Sequence, residues 1–376
     1  MEKWPKKIQV CTPLLAGREL EYVTDAVSTG WISGRGPYVD KFEVSFAKYV
    51  GTKHAVAVAN GTVAMHLALV AAGIRAGDEV ICPTFTMAGS VFPVCYIGAV
   101  PVLVDCARDT WNIDEAQIEA AITSKTKAIM PVHIYGHPCA MDKIMEIARK
   151  HKLLVIEDSA EAIGSEFKGT KCGAFGDVSG FSLFANKVIT SGEGGIITMN
   201  ADKIFDESRY YKDLCFPLSG ERTYTHDHIG FNYRMANTVA AIAFAQMEKA
   251  DEYVEMRRRN AKMYNERLES VRGITTPVER AGCKNTYWMY GVMIEDSFGM
   301  DREKLMKELT AHNIETRRFF TPMHVQPGLK PHLSRAQKAC PVSEDVGKRG
   351  LYLPSSSGLT EKEIDYVCDV IRKIRG

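Results

Sequence analysis

An α/β fold, with a mostly parallel mixed sheet in a large domain and a smaller C-terminal α+β domain, is what this sequence predicts. Two observations predict it. From about residue 54 to 200, short apolar runs alternate with stretches of helical spacing. Such alternation belongs to a sheet covered by helices on both faces. Beyond about residue 275 the alternation stops, leaving one strand-like run and two helical ones. The chain has 376 residues, enough for two or three domains at roughly 100–200 residues each. The division is placed near residue 250, giving 1–250 and 251–376.

The elements follow in order. Residues 54–59 read as a strand. Residues 62–72 read as a helix with Val63, Leu67, Val70 and Ala71 on one face. Gly73 and Gly77-Asp78 interrupt the pattern before a strand at 79–82. A strand at 101–105, a helix near 114–122, a strand at 127–133 and a helix at 141–151 lead into the buried run 153–158. After Leu183 the spacing shortens, as if antiparallel strands were added. Residues 238–272 read as helical and highly charged in their second half. A strand at 287–294, a helix at 302–312 and a terminal helix at 361–374 complete the chain.

Composition excludes several classes. There are 47 basic and 46 acidic residues, a net charge of +1, which gives no electrostatic footprint for nucleic acid or an acidic membrane. The run Arg257-Arg258-Arg259 lies among glutamates and reads as a solvated helix face. The ten cysteines form no CxxC pair, which argues against zinc or dithiol chemistry. Reduced thiols fit a cytoplasmic protein. No signal segment and no apolar stretch near the roughly 20 residues of a membrane span is visible. His226-Asp227-His228 reads as a polar loop rather than a metal site. Gly34-Arg35-Gly36 and Gly192-Glu193-Gly194 lack the third glycine of a dinucleotide fingerprint, and no P-loop occurs.

Three groups fall at the carboxyl ends of predicted strands, where open α/β sheets bind ligands. Asn60-Gly61-Thr62 joins a strand to a helix whose free N–H groups suit phosphate. Asp158 ends a buried run, where its carboxylate needs a partner. Lys187 sits between a strand-like run containing Ser182 and a glycine-rich turn, where desolvation makes an amine nucleophilic. Taken singly, each also reads as an N-cap, a capping aspartate or a hairpin lysine. Pyridoxal 5′-phosphate uses all three at once: an anion cradle, a carboxylate on its ring nitrogen and a lysine for its aldehyde.

The residues resemble the DegT/DnrJ/EryC1/StrS sugar aminotransferases from about residue 8 onward. The likeness rests on 60–69 (Asn-Gly-Thr-Val-Ala-Met-His-Leu-Ala-Leu), 131–138, 156–162, 181–195 and 230–237. Within the family it is most similar to GDP-perosamine synthases, through 186–195 and 315–324. The resemblance implies the aspartate-aminotransferase (fold type I) architecture and pyridoxal phosphate as cofactor. It makes Lys187 the catalytic lysine, which bonds the cofactor and shuttles the proton. It pairs Asp158 with the ring nitrogen and places Glu161 near the ring hydroxyl. Gly61, Thr62 and Ser182 hold the phosphate. Asn232 reaches the cofactor of a second subunit, so that a homodimer shares its active sites. Trp31, Arg317 and His324 lie toward the nucleotide-sugar substrate.

One departure stands out. In Pro83-Thr84-Phe85-Thr86-Met87, methionine occupies the place of the family's usual ring-stacking aromatic, so looser cofactor binding is expected. The implied reaction moves an amino group from L-glutamate to C-4 of a nucleotide-linked 4-keto-6-deoxyhexose. The alternatives are a UDP- or dTDP-linked sugar, a C-3 ketone or an oxidised octulosonate, or a cofactor-binding regulator without turnover. Metal, nucleic-acid and membrane partners are not expected.

Overall fold

The computed structural model describes residues 2–221, 223–333 and 337–375. Two helices that the sequence pattern left unassigned come first, α1 (Glu19–Ser28) and α2 (Pro37–Val50). The second carries ordinary signals: Pro37 in its first turn, buried Tyr38, Phe42, Phe46 and Val50, and Gly51 at φ 89° to close it. The alternating region runs β1 (His54–Val58), α3 (Gly61–Ala71), β2 (Glu79–Pro83), α4 (Ala88–Tyr96), β3 (Val100–Val104), α5 (Glu115–Ile118), β4 (Thr126–Ile129), α6 (Met141–His151) and β5 (Leu154–Asp158). The helix expected near 114–122 is α5 continued by one 3₁₀ turn, Glu119–Ala121.

A small hairpin, β6 (Glu166–Phe167) and β7 (Thr170–Lys171), precedes β8 (Val178–Ser182) and β9 (Gly195–Met199). Helices α7 (Asp202–Lys212), α8 (Asn237–Met247) and α9 (Ala250–Leu268) follow. The last third contains β10 (Ile274–Thr275), β11 (Cys283–Lys284), β12 (Tyr290–Ile294), α10 (Arg302–Ala311), β13 (Arg317–Arg318), α11 (Pro341–Arg349), β14 (Gly350–Leu353) and α12 (Glu361–Arg375). The strand expected from 287 begins only at Tyr290, because Tyr287 takes the left-handed backbone region at φ 48°.

Seven strands form the main sheet in the order β1-β9-β8-β5-β4-β2-β3. The pairings from β8 through β5, β4 and β2 to β3 are parallel. β9 alone runs opposite to the rest, between β8 and β1. The carboxyl ends of β1, β2, β5 and β8 therefore open on one edge of the sheet.

Helix α3 departs from its expected one-sided face. Met65, His66, Leu67, Ala68 and Leu69 are all buried, while Val63 and Val70 are only half-buried. The helix lies between α4, α7 and the strands β8 and β9, so nearly every side is covered. Neutral Ala and Leu filling the helix all round is what such a position demands.

A second sheet, β10-β12-β14-β13, carries the C-terminal unit with α10 and α12 packed on it. The first residues of the chain join this unit. Ile8 pairs with Ile314 and is buried in the second core, and Trp4 packs on Tyr366 at 4.9 Å. Helix α9 belongs to both cores. Its Tyr253 and Val254 lie in the first, its Ala261, Tyr264 and Leu268 in the second. That position overturns the expected solvated arginine face: Arg257 is 3% exposed. Among the described residues no helix is long and apolar enough to cross a membrane.

Asn237, fully buried at the start of α8, ties the N-terminal helices to the main body. Its Oδ1 accepts the N–H groups of Tyr38 (2.9 Å) and Val39 (3.3 Å), and its Nδ2 donates to the Trp31 carbonyl (2.6 Å). A Cβ on Gly36 would lie 2.4 Å from the Asn237 side chain, so that close approach requires glycine. Asn237→Ala strands two helix-start donors in a buried site. The expected cost is about 2–4 kcal/mol of unfolding free energy, measured by chemical denaturation.

Candidate active site

Four strand ends and two loops build a cleft of about 570 Å³. The turn after β1 enters α3 with Asn60 as its cap, and Asn60 Oδ1 accepts the Val63 N–H at 3.0 Å. The N–H groups of Gly61 and Thr62 have no acceptor within the helix, as at any helix start, and line the cleft. A Cβ on Gly61 would sit 2.7 Å from Cβ of Ser182 at the end of β8, so only glycine lets these two ends meet. The turn after β2 brings in Met87, half-exposed at the start of α4. Its sulfur accepts the Gly89 N–H at 3.1 Å, which folds the thioether back over its own helix.

Asp158, 3% exposed, ends β5 and faces the cleft. Its Oδ1 accepts the Ala160 N–H at 3.0 Å, and the Ser90 hydroxyl donates to it. Ser90 is itself tied to Thr86 at 2.8 Å. Burial pushes the Asp158 carboxyl above the usual carboxylate range despite these bonds. Glu161 accepts the Tyr135 N–H at 2.7 Å, and burial raises its carboxyl as well. Tyr135 occupies the left-handed region at φ 52°, where a tyrosine is strained, and that turn aims its N–H at Glu161.

Lys187 follows β8 and reaches the same floor. Some of its side-chain surface opens into the cleft, and protein packs densely around the rest. Protein atoms replace most of the water around the amine, while the side chain keeps a partly open face to the cleft. Burial therefore lowers its pKa, and Glu161 and Asp158 oppose that shift. Among the described residues Lys187 makes no ion pair: no carboxylate oxygen lies within 4.0 Å of its Nζ. Two acids and one base are thus held close together, each pushed by burial toward its neutral form.

The main sheet braces this floor from behind. His133 Nδ1 accepts the Cys139 N–H at 3.0 Å, which leaves Nε2–H to donate to Glu157 at 3.1 Å. Glu157, fully buried, also accepts the N–H groups of Gly173, Phe175 and Gly176.

The cleft thus gathers Gly61, Thr62, Met87, Asp158, Glu161, Ser182 and Lys187. It does not gather the other four. Asn232 is exposed, between Phe231 and Tyr233, whose rings stack at 4.8 Å on the His66 side. Trp31 is exposed near the start of α2. Arg317 pairs in register with the cleft residue Tyr352 but turns to Glu315 at 2.9 Å. His324 is bonded on both nitrogens, to Thr84 at 2.7 Å and Glu344 at 3.0 Å, and does not line the cleft. Sequence reasoning missed Ser90, Asn186, Trp288, Phe320 and Tyr352, which do.

A family model described as the DegT/DnrJ/EryC1/StrS aminotransferase family matches residues 13–372. The chain belongs to this family. A GDP-perosamine synthase of Caulobacter vibrioides is 44% identical over 369 residues, 98% of each chain. One from Escherichia coli is 43% identical over 368 residues, again 98% of each. A solved DegT/DnrJ/EryC1/StrS aminotransferase from Brucella abortus superposes with a TM-score of 0.88 at 32% identity, over 96% of this chain and 95% of that one. This DegT/DnrJ/EryC1/StrS member is a pyridoxal 5′-phosphate-dependent aminotransferase on the α/β fold that its sequence predicts. Its cleft fits that cofactor. Asp158 is a buried carboxylate bonded to neutral donors, Asn186 Oδ1 is buried without a partner, and Gly61 leaves the cradle free of a Cβ.

Proposed function

We propose that this aminotransferase transfers the amino group of L-glutamate to the C-4 ketone of a GDP-linked 4-keto-6-deoxyhexose. One observation carries the reading: Lys187, Asp158 and Glu161 converge on the same cleft as the Gly61–Thr62–Ser182 cradle. The likeness at 40–44% identity to three proteins named GDP-perosamine synthase supports the substrate class.

When bound, pyridoxal phosphate supplies an aldehyde carbon and a ring that accepts the electrons left on the substrate carbon. The chain's own residues do the rest. The N–H groups of Gly61 and Thr62, with the Thr62 and Ser182 hydroxyls, bind the phosphate at the positive end of α3. Asp158 binds the ring nitrogen and holds its proton. Glu161 would orient the ring hydroxyl, and Met87 would pack against the ring in place of an aromatic side chain. Lys187 takes up and returns the substrate proton at Nζ. A depressed amine pKa keeps Nζ neutral at a lower pH than in an ordinary lysine, so it serves as a base. Arg317, in register with the cleft residue Tyr352, together with Trp31 and His324, would meet the nucleotide end of a long substrate.

The active unit in this reading is a cytoplasmic homodimer. Asn232, exposed and outside the lining of its own cleft, would reach the cofactor of the partner subunit. Leu20, Val27, Trp31 and Ile32 leave an apolar strip exposed along α1 and beyond it, which a second copy covers.

The test is the absorption spectrum of the protein supplied with pyridoxal phosphate. A near-visible band that L-glutamate moves to shorter wavelength, and that Lys187→Ala does not give, supports the first half-reaction. A colourless protein overturns the reading. A panel of GDP-, UDP- and dTDP-linked keto sugars then assigns the acceptor. A second variant probes the cradle. In Gly61→Ala the new methyl forces β8 and α3 apart, and cofactor affinity falls about tenfold or more in a spectral titration.

A further inference from the structure

Trp288 touches the reacting atom of this site. Nζ of Lys187 lies 3.5 Å from the centroid of its ring. Two hydrogen bonds hold Trp288, one through its ring and one through its backbone. Its Nε1–H donates to the carbonyl of Asn186 at 2.8 Å, and Asn186 immediately precedes the lysine. Its own carbonyl accepts Nη1 of Arg257 at 3.0 Å. Arg257 also holds Ser357 Oγ at 2.9 Å and the Ser355 carbonyl, and it makes no ion pair among the described residues. The ring is 4% exposed and braced by Tyr135, with centroids 6.2 Å apart. That ring bond to the Asn186 carbonyl keeps the indole beside the segment that carries Lys187.

The face of an indole attracts an ammonium but cannot accept its proton. The other titratable groups that act on Nζ are Asp158 at the end of β5, Glu161 beyond it and Cys11 from the N-terminal segment, while Tyr352 on β14 lines the same cleft. Either carboxylate, in direct contact, would pin the lysine in a buried ion pair. The ring holds it without doing so.

We propose that the face of Trp288 is the seat of the Lys187 amine whenever that amine is free, which makes Trp288 a positioning residue of the reaction. The inference rests on the catalytic role given to Lys187 above. The lysine amine of an aminotransferase is released in the first half-reaction and recaptured only in the second, so it is free between them. A seat at the cleft floor keeps it within reach of both.

The test is the pH profile of Lys187 acylation by acetic anhydride in the full chain stripped of cofactor, read by peptide mass spectrometry. The ring favours the charged amine, so weakening it must lower the pH midpoint. Replacing tryptophan by successively fluorinated tryptophans drains the ring face while keeping its shape. The midpoint is expected to fall stepwise, by about half a pH unit in all. Trp288→Leu is expected to match that fall, and Trp288→Phe to keep most of the wild-type value. A midpoint indifferent to fluorine, or Leu and Phe variants that shift alike, overturns the proposal. Should the leucine variant not fold, the fluorinated series decides alone. A wild-type protein that takes on no visible band with pyridoxal phosphate sinks the functional reading instead, and the acylation profile still decides where the amine sits.

Discussion

Lys187→Ala loses amine transfer, with a fall in kcat of at least about 10³-fold, while the protein keeps its fold. The group removed is both the nucleophile of the site and its proton carrier, and proton transfer by a positioned side chain alone contributes about 10²–10⁴-fold. The fold survives because Lys187 makes no ion pair among the described residues and part of its side chain already faces the open cleft. The same change leaves Glu161 and Asp158 without the cation that opposes their burial, so both carboxyls move further up. Single-turnover absorbance with L-glutamate, beside a thermal melt, checks both halves. A variant with ordinary turnover would remove Lys187 from the mechanism.

Asp158→Asn gives the second large effect, and it has two opposite signs. Transfer falls by about 10²-fold or more, because a neutral amide does not hold a proton on the ring nitrogen. The melting temperature of the cofactor-free protein rises. Burial lifts the folded-state pKa of Asp158 above its unfolded value. Stability linked to such a group is fully present below the unfolded pKa and is lost as pH rises through the folded pKa. At neutral pH the carboxylate is therefore a burden that the amide lacks. The gain is expected to shrink as pH drops into the ordinary carboxylate range, and melts across pH 4 to 8 measure it. A variant that melts lower at every pH would show that the bonds from Ser90 and Ala160 outweigh the burial.

Much of this was readable beforehand, for a physical reason. Strands buried on both faces of a sheet are largely apolar, so 54–59, 79–82 and 153–156 stand out in any window. Gly61, Asp158, Ser182 and Lys187 sit at the ends of such runs, and the topology then forces them together. Helix α4 was hidden by Gly89 and by Pro93 within it. Trp288, Tyr352 and Ser90 were hidden differently: each lies in a segment whose local pattern says only that it is buried. The chain brings Trp288 to Lys187 across about a hundred residues through the Asn186 carbonyl, and no local spacing encodes that bond. His324 shows what sequence position leaves open. A histidine near an implied substrate stretch reads as a ligand contact, yet Thr84 and Glu344 occupy both of its nitrogens.

Helix α9 carries a mechanical consequence. Its 19 residues, about 28 Å long, leave the first core at Val254 and enter the second by Ala261 without a break. Midway, Arg257 is locked to Trp288, Ser355 and Ser357. A continuous, anchored rod cannot serve as a hinge. Trp288 and Tyr352 pack in the same first core as Leu183 and Val188 on either side of Lys187, although their chain segments belong to the C-terminal unit beyond this rod, so the helix holds those segments against the cleft floor rather than letting them swing. Cutting the chain near residue 250 to obtain two separately folding halves would sever that spacer from its first anchor, and the two fragments would have to recover the alignment by docking alone.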